Sequence, residues 1–264
     1  MLQWRHFTLT KLLLAIDVGN THTAVGLFKG ENLLHDWRLS SKPNRTADEL
    51  WILIESCLHA VDISSKEIEQ VGISSVVPRL TELYREVARK RFTSEPVIVS
   101  VNTVPKMIID YAPPHAVGAD RICSAIAGFS KFGGPLIVID LGTATVFDVI
   151  DQDGIYLGGL IAPGLNTAAD SLHRMTDALP RVELQFPSNV IGKSTVESIQ
   201  SGVLYGSIEM IDGIVRRIQE SLKLKTKVIA TGGFSGLLKT QSATIEQIEP
   251  NLVLEGIRLV VEAQ

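Results

Sequence analysis

The chain has 264 residues, 45% of them hydrophobic and 20% charged, with a formal net charge of -4. That length and balance suit one large or two ordinary globular domains and exclude disorder. No basic run or stripe is present to grip a phosphate backbone, which argues against nucleic acid as the main partner. No apolar run reaches the ~18 residues of a membrane span, so no membrane partner is expected. Cys57 and Cys123 lie far apart and outside any metal-ligand spacing, as expected of a reduced cytoplasmic protein.

In chain order, residues 1–11 read as an extension outside the first strand. Arg5, His6 and Lys11 precede an apolar run, but that run is too short for a signal peptide, ends on Asp17 and has no small-residue cleavage site. Leu12–Ile16 has the length and branching of a buried strand. A turn, a second apolar run, a hairpin at Lys29–Asn32 and a third run follow. Thr46–Val61 reads as a helix opened by the capping box Thr46-Ala-Asp-Glu49. Thr81–Phe92 reads as a second helix and Val97–Val101 as a strand. The Pro-rich stretch at 112–117 is the best break, giving domains 1–115 and 116–264. Beyond it, Asp120–Phe132 reads as a helix and Leu136–Ile139 as a strand. A hairpin at Asp151–Gly154, helices at Asn166–Met175 and Thr195–Leu222, and a strand at Val228–Thr231 complete the pattern.

The chain repeats itself. LLLAIDVGNTHTAVGLFKGENLL from Leu12 and PLIVIDLGTATVFDVIDQDGIYL from Pro135 share one order: apolar run, Asp, Gly-containing turn, apolar run, polar turn, apolar run. Strands alternating with helices in two such halves predict an α/β fold of duplicated domains with a cleft between them.

Each half carries an acidic turn. Asp17 at a strand end can hold Mg²⁺, directly or through water, and Asn20 and Thr21 beside Gly19 can hydrogen-bond phosphate oxygens. Taken alone the segment fits an ordinary hairpin turn equally well. Its copy at Asp140-Leu-Gly-Thr-Ala-Thr145 favours a converging pair. Gly118-Ala-Asp-Arg121 opens a helix. Asp120 could accept a proton from a substrate hydroxyl, or serve only as a helix N-terminal acid. Arg121 could hold a carboxylate or phosphate. Gly158–Gly164 and Thr231-Gly-Gly233 read as Gly-rich loops at strand ends. Ile191-Gly-Lys-Ser-Thr195 lacks the earlier Gly of a P-loop and reads as the cap of the helix that follows. His22 reads as solvated or packed, and the histidines form no metal set.

The ordered set Asp17-x-Gly-Asn-Thr21, Ser74-Ser-Val-Val-Pro78, Gly118-Ala-Asp-Arg121, Asp140-x-Gly-Thr-Ala144, Gly158-Gly-x-Ile-x-Pro-Gly164, Gly192-Lys-Ser-Thr195, Gln200-Ser-Gly202 and Thr231-Gly-Gly233 closely resembles the type III pantothenate kinases. The resemblance runs from about Leu12 to the C-terminus. It implies duplicated actin-like (ribonuclease H-like) domains with a central cleft, and ATP-dependent phosphorylation of pantothenate at the first step of coenzyme A biosynthesis. It implies a homodimer, and Mg²⁺ with a monovalent cation, K⁺ or NH₄⁺. By motif, Asp17, Val18, Gly19, Asn20, Thr21, His22, Thr23 and Ala24 form the ATP phosphate turn, with Asp17 toward Mg²⁺. Asp120 is the proton acceptor. Tyr111, Gly118, Ala119, Asp120, Arg121 and Thr195 contact pantothenate. Asp140 binds the monovalent cation and Thr143 contacts ATP. A rival is a non-catalytic relative that binds a nucleotide or pantothenate-like ligand in a regulatory role.

Overall fold

The structure, a computed structural model, describes residues 11–42, 44–104 and 107–264. The extension expected ahead of the first strand falls, but for Lys11, outside the described residues. The first half opens with β1 (Leu12–Val18), β2 (His22–Lys29) and β3 (Asn32–Ser40), an antiparallel meander. Helix α1 (Ala47–His59) starts at Thr46 with the capping box in place: Glu49 N–H donates to Thr46 Oγ1 at 3.3 Å and Thr46 N–H to Glu49 Oε2 at 2.7 Å. Strand β4 (Ile68–Ser75), helix α2 (Pro78–Arg91) and the short strand β5 (Val97–Ile98) complete the first sheet. Pro78 occupies the first turn of α2, where its missing N–H costs nothing.

Helix α3 (Ala119–Phe132) leads to the second copy: β6 (Leu136–Leu141), β7 (Ala144–Ile150) and β8 (Tyr156–Pro163). Then come α4 (Leu165–Arg174), α5 (Thr195–Leu222), β9 (Lys227–Thr231), α6 (Ser235–Lys239), β10 (Gln247–Ile248) and α7 (Leu252–Glu262). The expected Gly-rich loop over 158–164 is in fact strand: Gly158 and Gly159 pair with Val149 and Asp148 of β7. Gly158 takes a φ of 114° where the β7–β8 register shifts, a conformation glycine tolerates, and only Gly164 lies beyond the ladder.

The two sheets have the same topology. The first is ordered β3-β2-β1-β4-β5 and the second β10-β9-β6-β7-β8. In each, the first strand of the repeat is central. Its hairpin partners lie antiparallel on one side and the later strands parallel on the other. A central strand covered on both faces must be apolar on both faces, and Leu13–Ile16 and Leu136–Ile139 are accordingly buried.

The chain forms two compact units: the described residues up to Lys131 with Asn251–Gln264, and Phe132–Pro250. The expected division after residue 115 is therefore displaced, because α3 belongs with the first unit. Gly256 of α7 lies against the Cys123 backbone of α3, and Ile257 and Val261 of α7 cover Gly72 of β4. The first core joins Leu14, Ile16 and Leu27 to Trp51 and Leu58 of α1 and Tyr84 of α2. The second joins Ile137, Ile139 and Phe147 to Leu204, Ile211 and Val215 of α5. No helix of the described residues is long and apolar enough to cross a membrane.

Candidate active site

The first acidic turn is built by the β1–β2 hairpin. Val18 pairs with Thr23, which leaves Gly19–His22 as the turn. Gly19 N–H donates to His22 C=O at 3.0 Å and closes it. Asn20, Thr21 and His22 are exposed. Val18 and Thr23 are fully buried, so these two serve the core with their side chains. The Thr23 and Ser41 hydroxyls share a hydrogen bond at 2.9 Å. Asp17, half-buried, is the last residue but one of β1, opposite Ala24 on one side and Ser74 on the other, and Ser74 Oγ donates to Asp17 Oδ1 at 3.0 Å.

In the same unit, α3 begins with Ala119 and presents Asp120 in its first turn. The Asp120 carboxylate accepts from Arg121 N–H at 2.8 Å. Burial pushes its pKa up, against the opposing pull of the Arg121 N–H and the Arg121 charge. Gly118 lies directly against Asp120 Oδ1, so a Cβ there would collide with the carboxylate. One helical turn on, Cys123 is fully buried. Burial, then the charges of Asp17 and Asp120, push its thiol well above the ordinary value. Cys123 thus has an acid of the first turn and the acid of α3 as electrostatic neighbours. Tyr111 lies outside the helices and strands and is exposed.

The second unit repeats the turn with one residue fewer. Leu141 pairs with Thr145, and Gly142 N–H donates to Ala144 C=O at 3.0 Å. The residue missing from this copy is the counterpart of Asn20. Asp140 is half-buried and Thr143 exposed. Thr143 C=O accepts from Thr167 Oγ1 at 2.7 Å, and Gly164 fits against the carbonyls of Gly142 and Thr143. The start of α4 thereby holds this turn in place.

Thr195 is the first residue of α5 and is exposed. Ser194 caps the helix: its Oγ accepts from Glu197 N–H at 3.2 Å, while Lys193 N–H donates to Glu197 Oε2 at 2.6 Å. The capping expected of this segment is what the structure has. Gln200 and Ser201 tie α5 to the carbonyls of Glu183 and Val190, so the Gln200-Ser-Gly202 motif fastens the segment that precedes the helix. Beside Thr195 lies a mainly apolar hollow of ≈ 560 Å³, lined by Pro163, Leu172, Ile199, Gly202 and Met210 among others.

The first unit thus brings together Asp17, the 19–22 turn, Ser74, Asp120 and Cys123. Asp140, Thr143 and Thr195 belong to the second unit. Sequence reasoning had no role for Ser74 or Cys123. The signal for Ser74 was its place in the Ser74–Pro78 motif, and only the strand register shows what it faces. Among the described residues no group of three or more His, Cys, Asp and Glu side chains could hold a metal ion. Mg²⁺ beside phosphates needs only one or two carboxylates, with phosphate oxygens and waters filling the other positions. Asp17 and Asp140 are carboxylates of the kind such a site uses.

Residues 13–217 match the family profile described as type III pantothenate kinase. The chain is 43% identical over 251 residues to the type III pantothenate kinase of Moorella thermoacetica, covering 95% of this chain and 99% of that one. Two more distant solved structures share the fold. A Campylobacter jejuni protein assigned to the Baf family of transcriptional activators superposes with a TM-score of 0.59 at 18% identity, over 94% of this chain and 97% of that one. A ROK family glucokinase from Streptomyces griseus, solved with glucose and AMPPNP, gives 0.52 at 13% identity, over 96% of this chain and 100% of that one. The duplicated sheets are therefore an actin-like fold, and the chain belongs to the type III pantothenate kinase family.

Proposed function

We propose that Asp120 takes the proton from the pantothenate hydroxyl while the turn headed by Asp17 holds the ATP phosphates. The reaction is ATP-dependent phosphorylation of pantothenate to 4'-phosphopantothenate, the first step of coenzyme A biosynthesis. The hydroxyl O–H bond breaks and its proton passes to the Asp120 carboxylate. The alcohol oxygen bonds to the γ-phosphorus, and the bridging oxygen leaves on ADP with the electron pair. The observation that carries the assignment is the environment of Asp120: burial raises its pKa, which makes it a stronger base than an ordinary Asp.

The other assignments rest on motif and are supported by position. Asn20, Thr21 and His22 stand exposed on the first turn, within reach of a phosphate chain. Asp17 is the carboxylate for Mg²⁺, which when bound neutralises charge on the transferring phosphoryl group. Asp140 heads the shorter turn and takes the monovalent cation, with Thr143 toward ATP. Tyr111, Gly118, Ala119, Arg121 and Thr195 contact pantothenate. A homodimer is supported by the apolar surface of the second unit, where Ile161 is 66% exposed, Met175 84% and Ile191 77%. A cytoplasmic place is supported by two free cysteines. The profile match and the pantothenate kinase relative lend no support to a non-catalytic role.

The test is ADP release coupled to pantothenate, with K⁺, with NH₄⁺ and with neither. Pantothenate-dependent turnover that rises with either cation is expected. Turnover with no pantothenate dependence would overturn the substrate, and cation independence would overturn the role of Asp140. A second expectation concerns Gly118→Ala. The added methyl displaces the Asp120 carboxylate, and a misplaced catalytic group costs about tenfold to a hundredfold in rate. Steady-state kinetics should show that loss in kcat, while the melting temperature stays near that of the parent.

A further inference from the structure

We infer that Ser74 is a positioning residue for Asp17, one that holds the carboxylate in the orientation its ligand requires. The inference rests on the proposed role of Asp17 in binding Mg²⁺ and ATP. Asp17 and Ser74 are register partners on the parallel strands β1 and β4. Register partners on adjacent strands project to the same face of a sheet, with strands about 4.8 Å apart. A side chain as short as serine therefore spans the gap, and Ser74 Oγ reaches Asp17 Oδ1 at 3.0 Å. Ser74 is fully buried, and a buried hydroxyl is stable only with a partner. Asp17 accepts its hydrogen bond, and the Cys123 thiol is a second hydrogen-bonding neighbour of the hydroxyl.

The repeat supplies an internal comparison. In the second unit the register partner of Asp140 on the parallel strand β9 is Thr231, again a hydroxyl residue and again buried, at 3% exposure. Both copies of the motif place a short hydroxyl opposite the acid. On the side away from the turn the pattern stops: the partners of Ile16 and Ile139 are Ile73 and Ala230, both apolar, while on the turn side of the first copy Ser75 stands opposite Val18.

The physical value of the arrangement is preorganisation. A half-buried Asp at a strand end has several rotamers, and a ligand that needs one of them loses affinity by selecting it. A hydrogen bond from a buried, immobile donor removes that choice before the ligand arrives. Ser74 itself lies below the surface, so it acts through Asp17.

The experiment compares Ser74→Ala, Ser74→Cys and Ser74→Thr in the full-length chain. Titration calorimetry with Mg²⁺ and ATP, without pantothenate, should give about tenfold weaker nucleotide binding for Ser74→Ala, the scale of a lost hydrogen bond to a charged group. In steady state the KM for ATP should rise at limiting Mg²⁺, with the KM for pantothenate within about twofold of the parent. Ser74→Cys keeps the volume with a weaker donor and should fall between. Ser74→Thr should restore binding, because Thr stands at the corresponding place beside Asp140. Parental ATP affinity in Ser74→Ala overturns the inference. An equal loss in Ser74→Thr overturns it too, since a packing defect would spare neither variant. Should Ser74→Ala fail to fold, the ordering of Thr above Cys decides. If the parent chain releases no ADP with pantothenate, the substrate assignment fails, and the calorimetry still decides the role of Ser74.

Discussion

Asp120→Asn should lower kcat by about 10²–10⁴-fold and leave the protein at least as heat-stable as the parent. The two halves of this expectation have one cause. Burial holds the Asp120 carboxyl above its ordinary pKa. A carboxylate whose folded pKa is raised binds its proton more tightly when folded than when unfolded. Its ionised form therefore subtracts stability above the folded pKa, and that cost vanishes below the unfolded value. Asn carries no charge, so the substitution removes the cost at neutral pH. Its side-chain oxygen can still accept from Arg121 N–H, as Asp120 Oδ1 does at 2.8 Å. What Asn cannot do is take a proton. In the parent, the acid limb of kcat/KM should lie above the ordinary Asp range, and in the variant that limb should disappear. A pH–rate profile and a thermal melt check both parts. Turnover near that of the parent would overturn the base assignment, and a large drop in melting temperature would overturn the account of the burial cost.

Asp212→Ala should destabilise the chain by about 3 kcal/mol or more, with little direct effect on chemistry. Asp212 is 5% exposed in the middle of α5. Its carboxylate accepts from Ser242 Oγ at 2.7 Å, Ala243 N–H at 2.9 Å, and Thr244 Oγ1 and N–H at 2.6 and 3.2 Å. Those bonds anchor the segment between α6 and β10. Alanine removes the acceptor of Ala243 N–H and of the Ser242 and Thr244 hydroxyls, while Thr244 N–H keeps Ser242 Oγ at 3.2 Å, and a hydrogen bond to a charged group contributes about 1.5–3 kcal/mol. Burial alone would raise the Asp212 pKa, but the bonds from Thr244, Ala243 and Ser242 outweigh it and hold the pKa below the ordinary value. A depressed carboxylate contributes stability above the unfolded Asp value of about 3.9. That contribution fades as pH falls through the lower folded pKa. Urea unfolding of parent and Asp212→Asn should therefore differ at neutral pH and converge in acid. A difference independent of pH would show that the charge is not what matters.

Much of the fold was legible along the chain. Thr195–Leu222 reads as a helix with the bounds it has in the structure, because its cap and its apolar spacing are both local. The Thr46 capping box is likewise a contact between residues three apart. The repeat around Asp17 and Asp140 is a pattern of residue types, and the matching sheet orders bear it out. Other elements escaped. Strand β4 begins with Glu69 and Gln70 after a single Ile and ends in Ser74-Ser75, so its apolar run is broken at both ends. Helix α7 is buried on most sides and has no clean polar face to give it a period. Gly158 and Gly159 look like loop residues until β7 supplies their ladder. The domain boundary was set at a Pro-rich stretch, whereas the units divide where packing changes, with α3 and α7 closing on the first sheet.

The candidate site divides along the same line. By itself the sequence determined which carboxylates stand at strand ends, which turn carries Asn20, and that Gly118 precedes Asp120. These are properties of neighbours in the chain. Only the tertiary structure decided that Ser74 faces Asp17 across 57 positions, and that Cys123 sits where the charges of Asp17 and Asp120 both reach it. Parallel strands are joined by long crossovers, so their register is set by the packing of both faces of the sheet and has no short-range signature.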